Sequence, residues 1–522
     1  MKKSKNLLLS LFLICTLILQ GCGTEKVNEV KSEEKSKETK TTVLKLEGGD
    51  WGNLTPYSHY SRGPGAYKMR LIFDSLLERG DKGLIPWIAE KWEVSPDGKE
   101  YTFMLKNNVK WHDGKELTAE DVKFSLEYFA KHSPVSDSLN VKGKSFVKKA
   151  EVLDKNKIKI TMEKPNATTL DRMADIRIIP KHIWEKVEDP KKFNKPEALI
   201  GCGPYKLDQY IKEQGAYKFS AFKDYWGPKP KVDVLQFIPV SDAVLAFDKG
   251  EIDITNITPD ILPKYENNKK FVVKQNPAFW GYRLIFNMEK KPEFKTKELR
   301  QAICYAIDKQ ELIEKVARGA AKAASAGYLP EDHLWYNNDV KHYDFNLDKA
   351  KKLLNNKKHN FTLLVSNSKP ELRIAELIKI NLEKVGINLI VKSVDMKTRD
   401  ASVKSKDYEM VLNGHGGWGN DADILRTIYS SDKKAKNSSS LPGYNNEKIN
   451  ELSQKQLVEM NEANRKDIIF QMQKEIAEEV PQIPIYNTTE YTVYKPEKYD
   501  GWRYMFNHHE LTHNKLSYLE VK

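Results

Sequence analysis

The stretch FTLLVSNSKPELRIAELIKINLEKVGINLIVKSV, residues 361–394, carries the pattern that decides the fold class. Residues 361–365 are typical of a strand, and residues 370–385 predict a helix with one apolar face. Gly386 is the type of residue that commonly follows a helix C-terminus, and residues 387–394 predict a second strand. A strand, a helix and a strand in this order form a right-handed crossover in a parallel sheet, so the chain is of the α/β class.

A glycine-rich segment follows the next predicted strand, residues 408–412. It reads NGHGGWGND over residues 413–421 and contains a histidine, a tryptophan and an aspartate. Ligands of open α/β sheets bind in the crevice beyond the carboxyl ends of the strands. The position and composition of this segment therefore make it a candidate ligand site on physical grounds alone.

Two segments upstream carry the most specific pattern in the chain. Residues 85–105 read IPWIAEKWEVSPDGKEYTFML, and residues 109–122 read VKWHDGKELTAEDV. Each contains an Asp-Gly dipeptide flanked by apolar runs, which predicts a hairpin turn. Thr118 and Asp121 predict a capped helix start at the end of the second segment.

These segments resemble the solute-binding proteins of dipeptide, oligopeptide and nickel importers, often called family 5. Further matching segments follow in the family's order: GCGPYKL (201–207), DYWG (224–227), GEID (250–253), LRQAI (299–303) and YAID (305–308). The resemblance implies a two-lobe periplasmic-binding-protein-like fold, of type II in its large cluster C form, with mixed sheets and two hinge strands. It also implies that the protein selects a solute without covalent chemistry, so we expect that the protein is not an enzyme.

The resemblance implies a division of the chain into two lobes. Lobe one is expected at residues 43–286 together with 488–522, with an inserted subdomain around residues 70–200, and lobe two at residues 287–487. The hinge strands would cross near residues 284–287 and 484–487. The ligand would lie in the cleft between the lobes, which closes by a hinge motion.

The first 42 residues predict export and attachment to a membrane. Three lysines precede an apolar run at residues 7–19, which is shorter than the about 20 residues that span a bilayer. This pattern is typical of a signal peptide, here residues 1–21. Cys22 ends the segment LQGC, which resembles the lipobox of bacterial lipoproteins and implies a lipid anchor on the outer face of the cell membrane; an uncleaved anchor helix is the alternative. Residues 22–42 predict the lipidated cysteine and a flexible, charged tether.

The composition of the chain limits which classes of protein and which partners it is compatible with. The chain has 522 residues, of which 40% are apolar and 10% aromatic, enough for a packed core in two or three domains. The formal charge of +13 is spread along the chain among acidic residues, and an exported protein does not meet nucleic acid, so we expect no such partner. Cys202 and Cys304 fall in different predicted lobes, which favours two buried free thiols over a disulfide.

The resemblance also implies candidate ligand residues. In peptide-binding relatives an aspartate after a Gly-Trp pattern pairs with the α-ammonium group of the ligand. Gly417, Trp418 and Asp421 carry that pattern here, so Asp421 is expected to bind the ammonium group, with capping of the following helix as the alternative. Trp418 is expected either to pack over the ligand or to lie in the core of its lobe.

The segment FWGYRLIFN, residues 279–287, resembles the hinge strand that lines the cleft in the family. Trp280, Tyr282, Arg283 and Asn287 are its candidate ligand residues. A buried arginine on such a strand needs a carboxylate, supplied either by the ligand or by the protein, and we favour the protein.

Several histidines support an alternative ligand, nickel or a metal chelate, because imidazole nitrogen suits nickel and zinc. His415 lies in the glycine-rich segment, and His508, His509 and His513 lie near the C-terminus. We expect no cofactor other than nickel as a transported ligand.

Residues 509–513 also match the zinc-protease pattern H-E-x-x-H. That chemistry requires His509 and His513 on one face of a helix, with Glu510 as the general base. Little chain follows to complete a protease active site, so a zinc-dependent hydrolase is a distant alternative.

These observations predict an extracytoplasmic, lipid-anchored monomer. It would bind a peptide, or alternatively a metal chelate, and deliver it to the permease subunits of an ABC importer. Contacts from both lobes would make the ligand favour the closed form.

Overall fold

The computed structural model of the chain describes residues 41–60, 64–141, 144–416, 418–419, 421–431 and 440–521. The predicted signal peptide, Cys22 and Gly417 lie outside these residues. Within the described ranges, no helix combines the length and the apolar character that a membrane span needs.

The strand–helix–strand unit predicted for residues 361–394 is confirmed. Strands His359–Ser366 and Ile387–Val394 pair in parallel over their whole length, and helix Lys369–Glu383 connects them. Gly386 follows the helix with a φ of +87°, a left-handed conformation that glycine adopts without steric cost.

This unit forms one edge of a six-stranded sheet, the main sheet of lobe two. Its strands lie in the order Ala321–Ala323, Gln482–Thr488, Trp280–Phe286, Met410–Gly416, His359–Ser366 and Ile387–Val394. The first four strands pair antiparallel with their neighbours, and the last three pair in parallel. The sheet is therefore mixed, as predicted.

The described residues of lobe one form three larger sheets and two short strand pairs. The four-stranded sheets have the orders Val43–Glu47, Val234–Ile238, Ala216–Ala221, Tyr205–Ile211 and Ala89–Val94, Glu100–Leu105, Lys157–Met162, Val147–Asp154. The three-stranded sheet has the order Ile254–Ile257, Tyr491–Tyr494, Val272–Gln275, and the short pairs join Leu77–Arg79 to Leu84–Pro86 and Asn140–Val141 to Lys144–Ser145.

Helices cover these sheets. Those of lobe one are Gly65–Met69, Ala119–Lys131, Thr169–Met173, Lys181–Trp184, Ala243–Asp248 and Pro263–Glu266. Those of lobe two are Lys297–Tyr305, Lys309–Lys315, Leu347–Leu354, Lys369–Glu383, Met396–Ser405, Ile424–Tyr429, Glu447–Val458 and Glu462–Glu479. Helix Ala119–Lys131 begins as predicted, since Thr118 and Asp121 form a reciprocal capping box.

Each lobe has its own apolar core. One buried cluster includes Phe103 and Phe219 of lobe one, and another includes Leu284 of lobe two. Cys202 belongs to the first cluster and Cys304 to the second, and both are free, buried thiols as predicted. Two cores of this kind are the physical basis of a two-lobe molecule.

The chain crosses between the lobes at residues 276–279 and at residues 489–490. Strands Trp280–Phe286 and Gln482–Thr488 both pair within the main sheet of lobe two, whereas the strands on the other side of each crossing belong to lobe one. The expected boundary at residues 286 and 287 therefore falls one strand too late. The apolar pattern of a strand does not tell which sheet the strand joins. The boundary between the lobes could therefore not be placed more closely from the sequence.

The lobes also touch away from the crossings. The backbone N–H of Ala167 in lobe one donates to the carbonyl oxygen of Leu457 in lobe two at 2.7 Å. Arg318 of lobe two forms an ion pair with Asp260 of lobe one at 3.2 Å. These contacts accompany the crossings in bringing the lobes together.

Candidate functional site

Three cavities follow one another from lobe one, past the crossings, to lobe two. The lobe-one cavity, of about 310 Å³, is lined in part by Trp51, Lys68, Phe237, Asn256, Glu510 and His513. The crossing cavity, of about 320 Å³, is lined in part by Asn276, Trp280, Thr488, Glu490, His509 and Glu510. The lobe-two cavity, of about 760 Å³, is lined in part by Trp280, Tyr282, Arg283, Glu371, Arg399 and Asn413. Because Glu510 is shared by the first two and Trp280 by the last two, the cavities form one series.

Two carboxylates lie side by side in the crossing cavity. Strand pairing places Asn256 opposite Thr492, and the Thr492 hydroxyl donates to the Asn256 side-chain oxygen at 2.6 Å. This contact turns the amide nitrogen of Asn256 toward Glu490 and Glu510, to which it donates at 3.2 and 3.0 Å. One strand residue of lobe one therefore holds a carboxylate from the second crossing beside one from the C-terminal segment.

Burial raises the pKa of both carboxyl groups. The neighbouring Glu510 carboxylate raises the pKa of Glu490 further. At Glu510 the Asn256 hydrogen bond and the charge of Lys68 oppose the effect of burial, whereas Glu47 adds to it. Carboxyl groups whose pKa is perturbed in this way and that face a cavity are candidates for ligand binding.

A buried lysine lies in the lobe-one cavity. The Nζ atom of Lys68 is 3.7 Å from the ring centre of Trp51 and 4.3 Å from that of Phe237. Burial lowers the pKa of Lys68 to about 7, against the opposing charges of Glu510 and Glu47. The amine is consequently shared between its charged and neutral forms near neutral pH, and an anionic ligand group would favour the charged form.

The three C-terminal histidines form an aromatic cluster at the edge of these cavities. The His513 ring stacks on Tyr67 with centroids 4.3 Å apart, and the His508 ring is 5.1 Å from His513 and 5.0 Å from His509. Burial lowers the pKa of all three imidazoles. In the part of the chain that the structure covers, no three His, Cys, Asp or Glu residues are arranged to hold a metal ion.

The H-E-x-x-H match does not form the arrangement that zinc proteases need. Glu510 is extended, with φ −105° and ψ 119°, and a short 3₁₀ turn, Leu511–His513, directly follows it. His509 precedes this turn and does not share a helix with His513. The segment therefore gives no structural support for a zinc-dependent hydrolase.

Asp421 binds a protein cation rather than facing the cavities. Both of its carboxylate oxygens accept hydrogen bonds from the Arg465 guanidinium at 2.6 Å, and one also accepts from the backbone N–H of Asp423 at 2.8 Å. The following helix, Ile424–Tyr429, takes Asp423 as its N-cap residue. The Arg465 contact at both oxygens leaves this carboxylate little capacity for a ligand, and the expected ammonium contact of Asp421 stays a prediction.

Trp418 and His415 pack in the core of lobe two. The Trp418 indole N–H donates to the carbonyl oxygen of Tyr328 at 3.2 Å, and its ring lies 4.4 Å from that of His415. His415 is buried, and burial lowers its pKa well below the usual range. Of the alternatives for Trp418, the structure thus gives core packing, and it does not join His415 to the C-terminal histidines.

The four candidate residues on the predicted hinge strand differ in whether they line a cavity. Trp280 and Tyr282 line the lobe-two cavity and meet edge to face, with ring centres 4.8 Å apart. Asn287 is buried away from the cavities and donates to the carbonyl oxygen of Lys406 at 2.8 Å. Trp280 alone of these four also reaches the crossing cavity.

Arg283 has neutral partners. It donates to the Tyr328 hydroxyl at 3.1 Å and to the Gln482 side-chain oxygen at 3.2 Å, and no carboxylate of the described residues lies within 4 Å of it. The protein carboxylate that we favoured for Arg283 is therefore absent from its described surroundings.

Sequence reasoning missed most of the crossing cavity. Glu490 interrupts two apolar strands, in the segment TTEY, and this charge at an otherwise buried crossing was the available signal. Asn256 and Asn276 could not be recognised as ligand residues from the sequence, because asparagine is common in turns and its presence there indicates no particular function. Glu510 was considered only as a catalytic base.

The two-lobe arrangement with a cleft at two crossings agrees with a comparison of the sequence with known families. The family described as bacterial extracellular solute-binding proteins, family 5 Middle, matches residues 83–437. The chain belongs to this family. As a family 5 member it is a solute-binding protein of the ABC importer type.

The relatives of this family 5 protein include proteins that are named for, or were solved with, different ligands. The dipeptide-binding protein of Escherichia coli (strain K12) is 30% identical over 388 residues, which cover 67% of this chain and 71% of that protein. The solved ABC transporter substrate-binding protein CtaP of Listeria monocytogenes is 28% identical, with a TM-score of 0.75, covering 87% of this chain and 94% of that chain. NikZ of Campylobacter jejuni in complex with Ni(L-His) shares the fold at 24% identity, with a TM-score of 0.69, covering 91% and 97%. The Escherichia coli and Listeria monocytogenes relatives are substrate-binding proteins.

Proposed function

We propose that the protein is an extracytoplasmic lipoprotein that binds a peptide between its lobes and delivers it to an ABC importer. The observation that carries this proposal is the series of three cavities, which runs from lobe one to lobe two past both crossings. A series of adjoining cavities suits a ligand with several residues, and its lining of aromatic rings, amides and charged groups suits a backbone with free ends. No step in this function makes or breaks a covalent bond.

The position of the cavities explains how a ligand would act on the whole molecule. A ligand that touches both lobes binds the closed form more tightly than the open form and so shifts the population toward closure. The closed monomer would then dock on the permease subunits. X-ray scattering should give a smaller radius of gyration for the peptide-saturated protein than for the empty protein, and equal values would contradict the closure.

The identity of the ligand is tested by native mass spectrometry of the gently purified protein, followed by denaturing release. A released series of short peptides is the expected result. Release of no peptide, together with failure to take up peptides added afterwards, would contradict the peptide proposal.

A metal chelate is the second candidate, and one observation favours it: His509 lines the crossing cavity and His513 lines the lobe-one cavity. Because no ready group of three metal ligands exists among the described residues, the metal would have to bring ligands of its own. Nickel released together with a small chelator in the same mass spectrum would favour this candidate. The transported metal would be a ligand and not a cofactor.

Membrane attachment rests on Cys22 and is tested separately. A Cys22→Ser variant has no thiol to lipidate, so we expect it in the soluble fraction when the parent protein sediments with membranes. Sedimentation of both proteins would contradict the lipid anchor.

A further inference from the structure

Among the described residues, the carboxylates of Glu490 and Glu510 are not paired with a lysine or an arginine. Among the described residues, no lysine or arginine nitrogen lies within 4 Å of either carboxylate; the nearest titratable nitrogen is the Nε2 atom of His509, 3.9 Å from Glu510. Burial lowers the pKa of His509, so its ring is largely neutral at neutral pH. Lys68 acts on Glu510 only from beyond 4 Å. Carboxylates brought together in this way are unfavourable unless a cation joins them.

A single small cation can contact both groups. The Nδ2 atom of Asn256 is within hydrogen-bond distance of Glu490 and of Glu510, so the two acceptor oxygens lie on either side of one nitrogen. Both side chains also line the crossing cavity, where a second nitrogen can approach them from the open side. The geometry suits a primary ammonium group, which has three N–H donors to share between two carboxylates.

Asn276 supplies an independent sign of a ligand in the same cavity. Asn276 is 2% exposed, and its amide nitrogen has no hydrogen-bond partner among the residues that the structure describes. Its side-chain oxygen accepts from the Tyr504 hydroxyl at 2.5 Å, which orients the amide. Buried N–H donors are almost always satisfied, so this one is available to an acceptor that a bound molecule would provide.

Trp280 completes the surroundings of the cation. It is 39% exposed although it lies at the junction of the crossing and lobe-two cavities. The edge contact with Tyr282 leaves its ring available to a ligand. An aromatic face beside two carboxylates is a favourable place for an ammonium group.

We propose that Glu490 and Glu510 bind the terminal ammonium group of the ligand, and that Asn276 donates to the carbonyl oxygen next to it. An ammonium group one carbon away from a carbonyl group is the signature of an N-terminal amino-acid residue. The crossing cavity would hold this residue, and the adjoining cavities would hold the rest of the chain. This inference rests on the proposed function, since it identifies which end of the peptide the cavity recognises.

The test uses two synthetic tripeptide libraries of equal composition, one with free amino termini and one acetylated. Uptake by the protein is measured by native mass spectrometry. The wild-type protein should take up the free library at least tenfold better than the acetylated one. The double variant Glu490→Gln/Glu510→Gln should lose that preference, and Glu497→Gln, which changes an exposed glutamate elsewhere in lobe one, should keep it.

The outcomes separate the two proposals. Equal uptake of both libraries by the wild-type protein, or an unchanged preference in the double variant, would overturn the ammonium site and leave peptide binding intact. Uptake of neither library would overturn peptide binding itself. Asn276→Ala gives a second test with both carboxylates in place: it should weaken uptake of the free library several-fold, and unchanged uptake would overturn the carbonyl contact.

Discussion

Asp421 and Glu510 are carboxylates of similar exposure whose surroundings differ in one respect. The Asp421 side chain is 14% exposed and is held at both oxygens by Arg465, whereas the Glu510 side chain is 22% exposed and has no lysine or arginine nitrogen within 4 Å among the described residues. A paired buried carboxylate is part of the fold, since removing one partner leaves a costly charge. An unpaired one destabilises the empty protein and is retained where a ligand compensates it. The comparison therefore predicts that Asp421 serves the fold and that Glu510 binds the ligand.

The largest expected effect lies in the most completely buried charged group of lobe one. The Nζ atom of Lys515 is 2.5 Å from a carboxylate oxygen of Asp74 and 2.5 Å from one of Glu78, and all three side chains are at most 2% exposed. Lys515→Met should lower the free energy of unfolding by about 3–5 kcal/mol, because it leaves two buried carboxylates without this cation. Thermal unfolding measures the loss. Lys181→Met, which removes an exposed ion pair with Glu120, is the control and should change little.

Asp421 gives the next largest effect and tests the paired side of the comparison. Asp421→Ala should destabilise the protein by about 2–3 kcal/mol, because the buried Arg465 loses its carboxylate. Peptide affinity, measured by calorimetry, should change by no more than about threefold, which is well under 1.4 kcal/mol. A large loss of affinity with little loss of stability would return Asp421 to the ligand site. Asp339→Ala, at an exposed ion pair with Lys474, is the control for stability.

The pH dependence of stability and of peptide binding tests the proposed role of the unpaired carboxylates, Glu490 and Glu510. Because the pKa of Glu490 and Glu510 is raised in the folded protein, protonation stabilises the fold below the ordinary carboxyl pKa, and this contribution is lost as the pH rises through the folded pKa. A bound ammonium group favours the ionised forms, so peptide binding should release protons in that range. Calorimetry in buffers of different ionisation enthalpy counts the protons. Glu490→Gln/Glu510→Gln should abolish the release, and a persistent release would assign it to other groups.

The smallest expected effect is that of Trp280. Trp280→Leu keeps an apolar side chain but removes the aromatic face, so peptide affinity should fall by about 0.5–1 kcal/mol, or two- to fivefold. Tyr60→Leu, which changes an exposed aromatic residue outside the cavities, is the control. An unchanged affinity in the Trp280 variant would show that the ammonium group does not contact this ring.

The sequence predicted the fold far better than the site. Periodicity gave the unit at residues 361–394, and the capping pattern gave the start of helix Ala119–Lys131, because both depend on neighbours in the chain. The first crossing was predicted one strand too late, since pairing partners such as strands Trp280–Phe286 and Met410–Gly416 are distant in sequence.

The site depends on the same distant contacts. Asn256, Glu490 and Glu510 meet only after the lobe-one sheet has formed and the C-terminal segment has returned to it. No local pattern links these three positions. Conversely, the local pattern around Asp421 gave no sign of its protein partner, because Arg465 lies on a helix 44 residues further along.

A crystal structure of the protein with a bound peptide tests the central claim most directly. We expect the terminal nitrogen of the peptide within hydrogen-bond distance of the carboxylates of Glu490 and Glu510, with the adjacent carbonyl oxygen facing Asn276. A terminal nitrogen bound instead at Asp421, with Arg465 displaced, would contradict the distinction between paired and unpaired acids on which the account depends.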